Sequence, residues 1–225
     1  MSIRLPLTVS LILVLAMLAA SAEAWRLLPE GARIAVHWDI QGRPNGFAGK
    51  PFALFFAPVL AAALCALFAL IPRIEPRRLN LAASAKFYGA AWMAATAVIA
   101  VAHAAVLAAA LNAGFDNRTV VAGAVALMLV VLGNYMGKSR SNFFAGVRTP
   151  WTLSSEYSWE RSNRLGGRLF MMSGAATLAA ILVLGPKLAM LVLAGTAGVS
   201  ALASVAMSYV YWARDPNRQQ GSVVP

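Results

Sequence analysis

"SNFFAGVRTPWTLSSEYSWERSNRLGGRLF", residues 141–170, is polar, aromatic and basic, yet it lies between two long apolar runs. Those runs decide the fold. Crossing roughly 30 Å of hydrocarbon at helical rise takes about 20 apolar residues. Working outward, 169–185 and 188–212 qualify on the C-terminal side. On the N-terminal side 119–137, 87–111, 51–72 and 5–24 qualify. Composition agrees: 60% of the 225 residues are hydrophobic and 12% are charged, too little charge to cover a soluble domain of this length. The expected class is an all-α integral membrane protein of six transmembrane helices, with a small extracytoplasmic β element and a cytoplasmic interfacial helix. The chain divides into an N-terminal membrane region, 1–112, with an outer strand-turn loop at 25–50, and a second region, 113–225, carrying a cytoplasmic connector at 138–168.

The first span, "MSIRLPLTVSLILVLAMLAASAEAW", has one basic residue, an apolar core and small residues at Ala22 and Ala24. That pattern resembles a cleavable signal peptide. Its apolar run is also long enough to span, and further spans follow, so it reads as a retained helix with cleavage as the alternative. Either way the next loop falls outside the cytoplasm.

Lysine and arginine set the orientation. With the N-terminus inside, thirteen of the 19 fall on the cytoplasmic side, from Arg4 through Arg73, Arg77 and the connector to Arg214 and Arg218. Arg26, Arg33, Arg43, Lys50, Arg118 and Lys187 fall outside. Both termini are expected in the cytoplasm. The net charge of +11 then reflects loops facing anionic headgroups rather than nucleic acid. The lone cysteine, Cys65, permits no intrachain disulfide and no thiol–metal cluster.

In the outer loop, "ARIAVHWDI" alternates: Ala32, Ile34, Val36, Trp38 and Ile40 on one face, His37 and Asp39 on the other. Period two predicts a half-buried strand, and "GRPNG" supplies a turn. In the connector, Pro150 biases Thr149 away from helix, and Thr152 or Ser154 can cap a helix starting just after them. Glu156 suits that helix's positive end, and Glu160 can pair with Arg164. Arg161, Arg164 and Arg168 recur at helical spacing among Trp151, Tyr157, Trp159 and Phe170. This mixture predicts a helix along the headgroup layer, broken by Gly166-Gly167 before the fifth span. The plain reading is an anchor in the leaflet. Gly133 and Gly137, four apart, permit close helix approach.

The ordered run Gly133, Asn134, Asn142, Gly146, Arg148, Thr149, Pro150, Trp151, Thr152, Leu153, Glu156, Trp159, Asn163 and Arg164 resembles the hallmark of the SdpI family of bacterial membrane proteins. Leu28, Pro29, His37, Gly42, Pro44 and the turn at 46–50 resemble the extracytoplasmic segment that commonly precedes it. The resemblance implies a non-enzymatic immunity and signalling protein. It would protect against a secreted peptide toxin outside and recruit a transcriptional repressor at the inner face. The partner-binding candidates are then Asn142, Arg148, Thr149, Trp151, Glu156, Trp159, Asn163 and Arg164, with His37 and Asp39 outside. The lipid bilayer is the remaining partner.

Other polar residues have plainer readings. His103, mid-span, is satisfied by one interhelical hydrogen bond. Thr196, Ser200, Ser204 and Ser208 form an i, i+4 ladder best explained by bonds back to carbonyls and by close packing. His37 and Asp39 have no further His or Cys beside them, so no metal or cofactor is expected. The tail "RDPNRQQGSVVP" is expected to be disordered. A small-molecule or lipid transporter is the rival class. It is weakened by the near absence of intramembrane acids.

Overall fold

The computed structural model describes residues 1–114 and 116–217; most of the expected disordered tail lies outside them. Six helices are long and apolar enough to cross a membrane. They are α1 (Arg4–Leu27), α2 (Lys50–Ile74), α4 (Ala85–Ala110), α5 (Asn117–Met136), α7 (Glu156–Val183) and α8 (Pro186–Ala213). Two shorter helices, α3 (Arg78–Ala83) and α6 (Pro150–Leu153), lie between them. Strands β1 (Arg33–Trp38) and β2 (Pro44–Gly49) form the one sheet among the described residues. The chain is a multi-pass, all-α membrane protein.

The helices pack as two trios. Helices α1, α2 and α4 contact one another, as do α5, α7 and α8, and α4 against α5 joins the two sets. The burial pattern is that of a lipid-solvated bundle. Leu15, Leu182 and Leu202 are 65, 85 and 73% exposed, while Ser10, Ser21, Thr96, Ser158, Thr177 and Ser208 are fully enclosed. Lipid solvates the large apolar side chains, so interhelical surfaces are free to use small residues and hydroxyls. The Ser10 and Thr96 hydroxyls lie 3.1 Å apart between α1 and α4. Ser21 Oγ is 3.0 Å from His103 Nε2, the interhelical bond expected for that histidine. On α8, Thr196, Ser200 and Ser204 donate to the carbonyls of Val192, Thr196 and Ser200, and Ser208 to that of Val205, as their spacing suggested.

Local chemistry fixes the helix ends. The Asp116 side chain accepts from Arg118 N and caps α5. Only Leu184 and Gly185 link α7 to α8; Gly185 takes a φ of 79°, and Pro186 starts the next helix. The hairpin and the connector sort to opposite ends of the bundle. β1 and β2 cover the end where α1, α4 and α7 finish; the connector covers the other.

The sequence reading differs from the structure at the fifth span. Gly166 and Gly167 do not break a helix. Helix α7 runs unbroken through both, so the expected headgroup helix is the first three turns of a 28-residue span. The glycines are there for close approach instead. A Cβ on Gly167 would sit 2.6 Å from the Gly133 carbonyl oxygen. The caps also shift: Thr149 caps α6 and Ser155 caps α7, rather than Thr152 or Ser154.

Candidate functional site

The connector is a folded plug. Thr149 Oγ1 accepts from Thr152 N, and Thr152 Oγ1 accepts from Thr149 N, closing a capping box that holds Pro150–Leu153 as one helical turn. Thr152 Oγ1 also donates to the Val147 carbonyl. Asn142 Oδ1 accepts from Phe144 N and Ala145 N, which bends the chain after the fourth span. Asn163 Oδ1 accepts from Val147 N, and Trp159 Nε1 donates to the Ser139 carbonyl at 2.9 Å. Thr149 and Ser208 hydroxyls meet at 3.0 Å, and Ser155 Oγ donates to Asp215 Oδ2, so the plug is tied to the end of α8 as well.

The sequence candidates therefore separate into two kinds. Asn142, Thr149, Trp159 and Asn163 are buried and hold the loop's shape. Trp159 is 1% exposed and points into the protein, not toward lipid as its amphipathic setting suggested. Arg148, Glu156 and Arg164 are exposed. Arg148 donates to the Phe143 carbonyl, and Arg164 forms the expected pair with Glu160 at 2.5 Å. Trp151 is half-buried, edge-on to Tyr209. The outward side of the plug thus carries exposed arginines, with the acids Glu156 and Glu160 in the first turns of α7.

Sequence reasoning missed Glu75 and Arg77. Glu75 is completely enclosed; Oε2 accepts from Phe143 N and Oε1 from Arg77 N. Arg77 donates to the Ser141 hydroxyl and to the Leu153 carbonyl, and its guanidinium lies over the Phe143 ring. Asn80 adds a bond to the Ser141 carbonyl. These residues lock the N-terminal trio to the connector. The only sequence signal was an acid directly after a span, which the dominant basic pattern obscured.

At the opposite end, β1 and β2 pair antiparallel, with irregular register around His37. Ile34 is buried against Ala24, Ala53, Leu54 and Leu107, the inward face that alternation indicated. His37 Nδ1 donates to Asn45 Oδ1 at 2.6 Å. Asp39 Oδ1 accepts from Gln41 N and Arg43 N, and its Oδ2 meets Arg43 Nε at 3.3 Å. The Arg43 backbone N–H is the main cause holding the Asp39 carboxyl below its ordinary range. Asp116 is lowered likewise, chiefly by the Arg118 side chain. His37 and Asp39 thus each bond a different neighbour, yet both line a cavity of about 850 Å³ between the hairpin and the bundle.

The comparisons with known proteins fall on these same two regions. The SdpI/YfhL protein family matches residues 138–208, the connector with α7 and most of α8. A domain of unknown function, DUF1648, matches residues 12–62, the hairpin with most of α1 and the first half of α2. Immunity protein SdpI of Bacillus subtilis (strain 168) is 25% identical over 169 residues, covering 74% of this chain and 76% of that protein. No solved structure matches. The folded plug lies in the stretch similar to the SdpI/YfhL family and the hairpin in the stretch similar to DUF1648, so this multi-pass membrane chain resembles SdpI-family proteins in both halves.

Proposed function

We propose that this chain is a non-enzymatic membrane immunity protein. It protects the cell that carries it from a secreted peptide toxin met at the hairpin end, and it recruits a cytoplasmic repressor to the exposed side of the plug. The supporting observation is the likeness to Immunity protein SdpI across three quarters of both chains. The plug fits the recruiting role. Its buried Asn142, Trp159 and Asn163 fix a rigid surface, and Arg148, Glu156 and Arg164 are displayed on it.

Expression in cells sensitive to a membrane-active peptide tests this reading. Survival rises by at least about tenfold over cells with an empty vector. The variant carrying Arg148→Ala, Glu156→Ala and Arg164→Ala, matched for membrane level, loses the signalling output while keeping a folded plug. No gain in survival against a panel of such peptides, together with solute uptake into vesicles holding the purified chain, rejects immunity in favour of transport.

A further inference from the structure

The two helix trios do not close at the hairpin end. Helix α4 packs on α5, and α5 packs on α8, but the backbones of α4 and α8 do not approach closely among the described residues. The gap between them is the 850 Å³ cavity. Small side chains form part of its walls. Ala102, Ala105 and Ala109 of α4 face it from one side and Ala194 of α8 from another. On α4 these residues span two turns, so the cleft reaches about 10 Å into the bundle. Val121 of α5 lies at its side, and Leu191 and Ala194 are exposed, which opens it sideways toward the outer part of the bilayer.

A roof crosses this cleft. Residues 36–40 and Gly42 of the hairpin line it from above. The roof is fastened to α5 by Arg118, whose Nη1 reaches the Ile40 carbonyl at 3.4 Å. Gly42 makes room for that arm: it has a φ of 81°, and a Cβ there would meet Arg118 Nε at 2.8 Å.

The charges at the rim are already matched. Arg118 gives Nε and Nη2 to the two Asp116 oxygens at 3.1 and 2.8 Å, so every guanidinium nitrogen has a partner. Asp39 is held by Arg43. A phosphate headgroup finds no unengaged guanidinium among the lining residues, and a cation finds no unengaged carboxylate. The walls below are apolar. Such a site takes uncharged apolar matter, and its polar roof suits a ligand whose remaining groups hydrogen-bond at the water boundary.

We infer that this roofed cleft between α4 and α8 binds an uncharged apolar segment of a peptide, entering from the outer leaflet beneath the hairpin. This deepens the immunity reading and rests on it for the peptide's biological source; the site itself is testable without it.

The probe is a synthetic decapeptide of Leu, Phe and Gly, acetylated and amidated, presented to the purified full-length chain in phosphatidylcholine nanodiscs. Cys65→Ser removes the native thiol, and Ala194→Cys then places a single thiol in the cleft at an exposed position, where folding is least disturbed. The peptide slows alkylation of that thiol by N-ethylmaleimide at least about fivefold. It leaves alkylation unchanged when the thiol is placed by Leu202→Cys, on the lipid-facing side of α8. Equal rates with and without peptide at position 194 overturn the inference. So does alkylation that is blocked by the nanodisc lipid alone, which assigns the cleft to an acyl chain. In sensitive cells, Ala109→Phe with Ala194→Phe fills the cleft and abolishes protection. Full protection by that variant at matched membrane level overturns the cleft as toxin site and leaves immunity standing. Slowed alkylation by a wild-type-like chain that protects against nothing does the reverse.

Discussion

Asn163 links two elements through one side chain. Its Oδ1 accepts the Val147 N–H from the connector, and its Nδ2 donates to the Trp159 carbonyl one turn earlier on α7. It is 1% exposed, so no water replaces either partner. Asn163→Ala leaves Val147 N–H buried without an acceptor, which costs about 1–3 kcal/mol. Glu156→Gln, at an exposed position, changes stability by less than about 0.5 kcal/mol. Unfolding of both variants in one detergent, followed by near-ultraviolet circular dichroism, checks this. Similar midpoints for the two would mean that Asn163 does not support the plug. The sequence marked both residues as notable but could not tell them apart. The buried stripe at the start of α7 is Ser155, Ser158, Trp159, Ser162, Asn163 and Gly166. Burial there does not follow hydrophobicity, so a periodicity search sees no inward face.

At the scale of elements, the contact between α5 and α7 depends on missing side chains. A Cβ on Gly133 would lie 2.9 Å from Met171 N, and one on Gly167 would lie 2.6 Å from the Gly133 oxygen. Neither neighbour is a flexible side-chain tip, so the helices themselves must separate. Gly167→Ala therefore lowers stability by about 1–3 kcal/mol through overpacking. Gly123→Ala on the same face of the bundle is tolerated, since its nearest neighbour, Ile181 Cδ1, stands 3.8 Å away. Thermal unfolding of the two variants separates these cases, and equal midpoints would refute the packing argument. Here the sequence is half legible. Gly133 and Gly137 signalled close approach, but Gly166-Gly167 was expected to break a helix. A glycine pair is a breaker where water competes for the backbone. Inside a packed membrane bundle the intrahelical bonds have no such competitor, and the same pair becomes a contact surface.

For the whole molecule, the six spans were legible because lipid-facing residues advertise themselves by hydropathy alone, whereas the Glu75–Arg77 lock joins residues more than sixty positions from their connector partners and leaves no local pattern. We propose the orientation from charge. Thirteen of the 19 basic residues belong to the connector end of the sequence and six to the hairpin end, and each end carries four acids. The hairpin end also neutralises much of its share: Arg26, Arg43, Lys50 and Arg118 each have a carboxylate within 4 Å. At the connector end, only Arg164 has such an ion pair among the described residues. Each Lys or Arg beside an anionic cytoplasmic leaflet is worth about 1 kcal/mol, and we propose that the surplus at the connector end holds that end inside. The prediction is made on a Cys65→Ser chain. In intact cells, Gln41→Cys at the exposed hairpin turn reacts with a membrane-impermeant maleimide. Ser154→Cys, exposed on the plug, reacts only after the membrane is broken. Labelling of position 154 from outside, with position 41 protected, would invert the protein. It would also place the roofed cleft in the cytoplasm, out of reach of any secreted peptide, and present the basic plug to the cell exterior.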